Sequence, residues 1–141
     1  MSNAKEGHRF EMELLKTLSE NGFWVLRINP NAGGQQPADI IAVKGKYHAL
    51  IDCKVCATAK GFSFDRVEDN QHSAMSLFHE RSGEYGWFAL ELPDGEIRML
   101  SYAQLMGCES LGMKSLTMRE MHNPNFTCSL TEWMQRATAW M

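Results

Sequence analysis

Two aspartates and a lysine lie on consecutive hydrophobic segments, at spacings that could bring them to one point. Asp39 opens the first segment, and Asp52 and Lys54 share one face of the second, because alternate residues of a strand point the same way. Two close carboxylates repel each other unless a cation lies between them, and oxygen ligands with free water positions suit Mg²⁺ or Mn²⁺. These residue types predict a metal site for phosphodiester hydrolysis, in which the lysine orients or deprotonates water and offsets phosphate charge.

The segments that carry these residues are predicted to form an antiparallel hairpin. The first runs from Asp39 to Val43, the second from Tyr47 to Val55, and the connection between them is short. A turn there places Asp39 at one end of its strand, opposite the far end of the second strand, where Asp52 lies. An exposed Asp-x-Lys is more often a solvated ion pair than a catalytic pair, so the assignment depends on the rest of the chain.

Two predicted helices carry polar residues beside their apolar stripes. The first, Gly7 to Glu20, has Glu11 next to its stripe, and Asn21-Gly22 is a typical helix-ending signal. The second, roughly Val67 to Glu80, has Gln71 in line with its apolar residues. The matching positions suggest a shared polar site. The alternative is that each lies at the edge of its stripe with its tip in water, which for Gln71 alone is the commoner situation.

The remaining segments are predicted to be scaffold. They comprise a strand from Phe23 to Asn29, a hairpin of Gly86 to Leu92 and Glu96 to Leu100 around Pro93-Asp94-Gly95, a short helix from Ser101 to Met106, and a C-terminal helix over Leu130 to Ala137 capped by Ser129 or Thr131. The stretch Gly107 to Cys128 gives no clear assignment. The predicted order is helix, three strands, helix, two strands.

Length and composition indicate one globular domain. The chain has 141 residues, 44% of them hydrophobic, and no apolar run approaches the ~20 residues of a membrane span. Residues 1–4 resemble an expression scar without signal-peptide character, which leaves 5–141 as a single domain. Four cysteines without two close pairs argue against structural zinc and favour the reduced thiols of a cytoplasmic protein.

The charge distribution differs between the two halves of the chain. The net charge is −3, whereas nucleic-acid-binding domains tend to be basic. Residues 1–66 hold nine Lys and Arg against seven Asp and Glu, and residues 67–141 hold five against ten. The half that carries the predicted site is therefore the more basic one. Its candidate phosphate contacts, each of which alone is more often a solvated charge, are Lys5, Arg9, Arg27, Lys44, Lys46, Lys60 and Arg66.

Large apolar residues are numerous for a domain of this size. Ten methionines and four tryptophans exceed what one small core comfortably buries. Trp133 in the last predicted helix and Trp140, which follows it, mark an interface in one interpretation. In the other, which is at least as common, that helix packs onto the sheet.

The order of these residues resembles the PD-(D/E)XK nuclease superfamily, in particular the Holliday junction resolvases. The resemblance covers about residues 5 to 100 and depends on Gly7-His8-Arg9-Phe10-Glu11, Asp39, Asp52-Cys53-Lys54 and Gln71. Two branches compete. Lys54 to Met75 is similar to the bacterial RecU-type resolvases, whereas Lys5 to Lys54, which includes Asn31-Ala32-Gly33-Gly34, is similar to the archaeal ones.

The resemblance implies a restriction-endonuclease-like α/β fold, with a central mixed sheet of about five strands flanked by helices in the order α-β-β-β-α-β-β. It also implies six site residues: Asp39 and Asp52 as metal ligands, the backbone carbonyl of Cys53 facing the metal, Glu11 as a further ligand or ligand-positioning acid, Lys54 as the water-activating amine, and Gln71 as a supporting polar residue. Two features depart from the family. Asp52 stands where both branches usually have Glu, and only Pro30 to Ala38 fills the place of the RecU stalk insertion.

The resemblance implies a Mg²⁺-dependent endonuclease, with Mn²⁺ as a substitute, that hydrolyses DNA as a homodimer and acts on branched substrates such as four-way junctions. One alternative is a nuclease of the same fold in restriction, repair or RNA processing. Another is a catalytically silent module that binds DNA or a partner. The retained Asp39, Asp52 and Lys54 favour an enzyme, because a module that binds no metal has no physical reason to keep two repelling carboxylates together.

Overall fold

The computed structural model describes residues 3–28 and 36–139. Its helices are α1 (Asn3–Glu20), α2 (Asp69–Ser82), α3 (Tyr102–Ser110), α4 (Met118–Met121) and α5 (Leu130–Ala139). Its strands are β1 (Trp24–Arg27), β2 (Ile40–Lys44), β3 (Tyr47–Val55), β4 (Phe62–Ser63), β5 (Gly86–Glu91), β6 (Ile97–Ser101), β7 (Ser115–Leu116) and β8 (Cys128–Ser129). The Asn31–Gly34 segment and Trp140, both singled out above, lie outside the described residues.

The central sheet is mixed, as predicted. Its strand order is β1-β2-β3-β5-β6-β8, and the β3–β5 pair is parallel while every other neighbouring pair is antiparallel. It has six strands instead of about five, because β8 adds a short edge next to β6. The parallel pair requires a crossover connection, and α2 lies in that connection. Among the described helices, none is both long and apolar enough to cross a membrane.

Helices cover both faces of the sheet, and alternate side chains of β3 contact different sets of helices. Ala49 and Ile51 pack with α1 and α5, while Leu50 packs with α2, α3 and α4. Asp52 and Lys54 follow Leu50 by steps of two, so they leave the sheet on the α2 side. The apolar stripe of α1, represented by Phe10 and Leu14, is fully buried on the opposite face.

A close contact seats α2 on the sheet. A Cβ added at Gly86 of β5 would lie 1.8 Å from Sδ of the fully buried Met75, so a larger residue at this position would require the Met75 side chain to move. Gly83, with φ of 79°, ends the helix in the left-handed conformation that glycine favours. Met75 lies one turn after Gln71, so the same face of α2 carries both buried residues toward the sheet.

The structure extends two of the predicted helices. Helix α1 begins at Asn3, before the predicted Gly7, and therefore includes part of the segment interpreted as an expression scar. Helix α3 continues to Ser110, with Ser101 as its N-cap. The C-terminal helix starts where predicted, and the Oγ of Ser129 accepts a hydrogen bond from the Glu132 N–H.

The unassigned stretch before α5 folds into very short elements. Helix α4 is opened by a capping box of Thr117 and Glu120, and β7 pairs with β4 in a separate two-stranded sheet. The interface interpretation of Trp133 is wrong, because its side chain is only 1% exposed and stacks on Phe23 with ring centroids 5.5 Å apart. Helix α5 packs onto the sheet, and Trp133 belongs to the core.

Candidate active site

The β2–β3 hairpin brings Asp39 to the strand that carries Asp52. Ile40 pairs with Ile51, and the N–H of Asp39 donates to the carbonyl of Ile51 at 3.0 Å. One oxygen of Asp39, Oδ2, accepts a hydrogen bond from the N–H of Cys53 at 2.7 Å. The side chain of Asp39 therefore continues the hydrogen-bonding ladder where β2 ends, next to Asp52.

Asp52 is buried, and its two oxygens face different partners. Its side chain accepts a hydrogen bond at Oδ1 from Nε2 of Gln71 at 3.1 Å, while the Nζ of Lys54 lies 3.1 Å from Oδ2. Nζ of Lys54 also donates to Oε1 of Gln71 at 3.3 Å. Gln71 thus contacts both the acid and the amine, and its own oxygen is held further by the N–H of Glu68 at the start of α2.

Glu11 reaches the same place from the other face of the sheet. It is next to Asp39, its side chain is only 12% exposed, and the guanidinium of Arg27 lies 3.7 Å away. Burial, followed by the charge of Asp39, raises the pKa of Glu11 to about 7, against the opposing effect of Arg27. The structure therefore groups Glu11, Asp39 and Asp52, which come from α1, the start of β2 and β3.

The grouping of acids also affects Asp52. Burial, followed by the charge of Asp39, raises the pKa of Asp52 to about 8, although Lys54 opposes the shift. Oδ2 of Asp52 is buried and, among the residues that the structure describes, has no hydrogen-bond donor in good geometry, despite the nearby ammonium. A carboxylate oxygen with unused lone pairs beside two further acids is a donor set that fits a divalent cation.

The peptide of Cys53 completes an oxygen-rich edge. Its N–H points to Asp39, and an extended residue directs its N–H and C=O to the same side of the strand, so the carbonyl faces the Asp39 edge. The thiol packs instead in the core on the α1 side, where burial raises its pKa well above the usual value. The oxygen ligands of this edge fit Mg²⁺ or Mn²⁺ better than a softer metal.

The structure separates the seven candidate phosphate contacts. The guanidinium of Arg9 is held by Glu6, Glu13 and Glu91, and Lys44 is bound to the carbonyl of Asn21. Lys46 is exposed on the β2–β3 turn, at the opposite end of the hairpin from Asp39, and Lys5 is exposed in the first turn of α1. Arg27 pairs with Glu11, as described above.

One of the basic residues, Arg66, lines the same groove as Lys54. A groove of about 700 Å³ opens beside Lys54 between the start of α1 and the segment that follows β3. Arg66 and Gly61 line it, and the exposed Lys60 precedes Gly61. Glu6 and Glu68 line the groove as well, so it leads to the amine of the candidate site between side chains of both charges.

A second group of potential ligands combines two residues of the β5–β6 turn with the residue that follows α4. Asp94, Glu96 and His122 place their ligand atoms within 4.8 Å of one another. They are largely exposed, and Glu96 already pairs with Arg98 at 3.0 Å. This group is separate from the acids around Asp39.

Two polar residues at the site had not been identified from the sequence. Nε2 of Gln36 donates to Oδ1 of Asp39, and Nδ2 of Asn70 donates to the backbone carbonyl of Gln36 at 2.8 Å. Isolated amides in a loop and a helix start carry no periodic signal, so only the position of Asn70 before Gln71 could have indicated its role.

Comparisons with known proteins agree with this architecture. A protein-family model described as archaeal Holliday junction resolvase (Hjc) matches residues 2–119. Among solved structures, the chain is similar to Hjc of Archaeoglobus fulgidus, described as a Holliday junction resolvase from an archaeal hyperthermophile, at 22% identity and a TM-score of 0.67. That similarity covers 92% of this chain and 98% of the other, and at this identity it shows the fold. No curated protein sequence matches.

Proposed function

Because the chain belongs to the archaeal Holliday junction resolvase family, it is a resolvase-like endonuclease acting on branched DNA, and we propose that it uses Mg²⁺ held by Asp39 and Asp52. The family match confirms the predicted relationship to resolvases and selects the archaeal branch over the RecU type. The grouping of Asp39, Asp52 and Lys54 around Gln71 is the observation that carries the metal proposal. Mn²⁺ is expected to substitute.

The ligands proposed for the cation are carboxylate oxygens of Asp39 and Asp52, the carbonyl of Cys53 and, from α1, Glu11 as a ligand or ligand-positioning acid. The N–H of Cys53 holds Asp39 in place, and the unused Oδ2 of Asp52 supports direct binding. A divalent cation bound here supplies Lewis acidity toward the phosphate and acidifies a bound water. The shorter Asp52 in place of Glu is compatible with this set because Asp39 reaches toward it.

Lys54 is proposed to act on the attacking water and on the phosphate. A lysine ammonium has three donors, and two of them face Gln71 and Asp52. The third donor is available to water or to a phosphate oxygen at the groove. Gln71 supports this arrangement, because its amide holds both the amine and the acid in fixed positions.

We propose that DNA enters along the groove beside Lys54. Arg66 on its wall and Lys60 at its border are the favoured phosphate contacts, and Lys5 lies near its end at α1. Arg9, Arg27 and Lys44 already bind acidic groups or a carbonyl of the chain itself, so they are less available to contact DNA phosphates. Lys46 can contribute only where DNA reaches the far end of the hairpin.

A homodimer fits a four-way junction, because a two-fold protein matches the two-fold symmetry of paired cleavage. The structure offers a surface for it on β1, where Trp24 is 60% exposed and Leu26 is 49% exposed. Both point to the face of the sheet opposite α1, beside Ile41 and Val43 of β2. This apolar strip of Trp24 and Leu26 supports the proposed dimer, whereas the buried Trp133 does not.

The proposed function is tested by incubating the protein with four-way junction, duplex, nicked and single-stranded DNA, with and without Mg²⁺. Cleavage of the junction in Mg²⁺ or Mn²⁺, and binding without cleavage in the larger Ca²⁺, is the expected result. Undiminished cleavage in excess chelator would refute the metal mechanism. Equal cleavage of duplex and junction would instead indicate the broader alternative, a nuclease of the same fold in restriction or repair.

A further inference from the structure

Two consecutive residues at the start of α2 are connected to the two strand-borne acids by separate hydrogen-bonded routes. Gln71 donates directly to Asp52. Asn70 donates from Nδ2 to the backbone carbonyl of Gln36 at 2.8 Å, and the Gln36 side chain donates to Oδ1 of Asp39. The first turn of one helix therefore contacts both acids, one directly and one through Gln36.

The route through Gln36 completes the fixation of Asp39. Its carboxylate receives the Cys53 N–H on Oδ2 and the Gln36 amide on Oδ1, so each of its oxygens has one donor. A carboxylate held at both oxygens has little freedom to rotate, and outer-shell partners of this kind orient metal ligands. Gln36 itself belongs to no strand, and the bond from Asn70 ties its backbone carbonyl to α2.

Stability alone gives a poor account of Asn70. Its Oδ1 is buried without a hydrogen-bond partner among the described residues, and an unpaired buried acceptor is destabilising. An apolar side chain of similar size would avoid that cost but would lose the bond to Gln36. The arrangement is understandable if the contact with Gln36 serves the site.

We propose that Gln36 and Asn70 are positioning residues for Asp39, and that the start of α2 sets the separation of the two acids by holding Asp39 through Asn70 and Asp52 through Gln71. The inference rests on the proposed metal role of Asp39. Neither Gln36 nor Asn70 contacts the cation in this scheme. Both act through the carboxylate that does.

The test measures Mn²⁺ binding to the full chain without DNA, by titration calorimetry, for Gln36→Met and Asn70→Leu. Both substitutions keep the approximate size of the side chain and remove the donor. Each should weaken Mn²⁺ affinity by about tenfold, the lower end of the range for lost outer-shell partners. Ser73→Ala, at an exposed position of the same helix, should leave Mn²⁺ affinity unchanged.

Further measurements separate positioning from a general structural role. Junction affinity in chelator should stay at the wild-type level in both variants, and the double variant should lose no more Mn²⁺ affinity than the stronger single one, because both act on one route. Gln36 lies in a half-buried loop position, so Gln36→Met tests the proposal even if Asn70→Leu fails to fold. Wild-type Mn²⁺ affinity in Gln36→Met would overturn the proposal, and so would additive losses. If Asp39→Asn itself keeps Mn²⁺ binding, the metal proposal fails instead.

Discussion

Asp39 accepts a hydrogen bond from the backbone N–H of Cys53, so the first acid is attached to the strand that carries the second. The bond takes the place of an interstrand backbone hydrogen bond just beyond the last paired residues, Ile40 and Ile51. Asp39 is therefore fixed relative to Asp52 by backbone geometry as well as by side-chain packing. This relationship determines which substitutions should affect the chemistry and which should affect DNA binding.

Substitution of the acids and of the lysine should change DNA affinity in opposite directions. Asp39→Asn or Asp52→Asn should abolish cleavage and leave junction affinity without metal unchanged or improved, because each removes a carboxylate that repels the phosphate when it is ionised. For Asp52, whose pKa is raised to about 8, the improvement should show only near or above pH 8. Lys54→Ala should also stop turnover, but affinity should fall or stay level. Binding titrations in chelator give these affinities, with the exposed Asp69→Asn as a charge-matched control. Weaker binding by both folded aspartate variants would contradict the single-site interpretation.

Glu11→Gln should reduce cleavage less than Asp39→Asn. Glu11 comes from α1 and its carboxylate also pairs with the guanidinium of Arg27. Asp39, in contrast, accepts a hydrogen bond at each of its two oxygens at the edge of the sheet. Single-turnover rates at saturating Mg²⁺ measure the difference. Equal and complete loss would make Glu11 a direct metal ligand, and wild-type rates would leave it a structural role only.

The stability of the metal-free protein should fall as pH rises. Asp52 has a pKa of about 8 in the fold against 3.8 as its ordinary value, so the folded state holds more protons between these pH values. The free energy of unfolding then decreases with rising pH, and the contribution is complete below the unfolded pKa and lost through the folded one. Thermal unfolding from about pH 5 to about pH 8 should show a falling Tm, and Asp52→Asn should flatten the slope.

Added Mn²⁺ should reverse this trend, because a cation competes with protons for the same oxygens. The Tm increase produced by Mn²⁺ should be larger near pH 8 than near pH 5 for the wild type and for the Asp69→Asn control. A slope in Asp52→Asn as steep as that of the wild type would assign the pH dependence to other groups.

Gly86→Ala should destabilise the protein by roughly 1–3 kcal/mol, because the added methyl group overlaps the buried Met75 side chain and forces it out of its packed position. Gly107→Ala is the matched control, since it adds the same group in open space on α3 and should stabilise by about 0.5–1 kcal/mol. Denaturant unfolding measures both. The cost of Gly86→Ala should shrink in a Met75→Ala background, and an undiminished cost there would exclude the overlap as its cause.

The protein should be a dimer in solution through the apolar strip on β1. Light scattering should give about twice the 16.0 kDa chain mass, and the combined Trp24→Glu and Leu26→Glu substitutions should give a monomer with reduced paired cleavage of a junction. Leu111→Glu, at an 82% exposed position away from the strip, should remain dimeric. A wild-type mass equal to one chain at high concentration would count against junction resolution.

The parts of the fold that the sequence predicts are those with local signals. The β2–β3 hairpin follows from alternation and a short turn, and it brings Asp39 and Asp52 together without knowledge of the rest of the chain. Strands of two residues such as β7 and β8 are too short to show a period in the sequence. They form because they pair with segments that are distant in the chain. For the same reason Gln36 and Asn70 could not be found, since their contacts join segments far apart in the sequence.

Trp133 shows a different limit. An aromatic residue on an amphipathic helix indicates a buried face, but the sequence does not say whether that face meets the same chain or another one. Here Phe23 and Tyr47 supply the partners, from distant segments. Trp24, in contrast, is 60% exposed, on a strand whose pattern alone resembles that of any half-buried strand.

The crossover between β3 and β5 has a consequence for the order in which the site assembles during synthesis. The hairpin that pairs Asp39 with Asp52 is complete once Val55 has emerged from the ribosome. Helix α2 has no strand to seat against until Gly86 and the rest of β5 follow. The nascent chain can therefore align its pair of acids before the amide of Gln71 is held beside them. If Gln71 has the role proposed above, we expect nuclease activity only after β3 and β5 have paired.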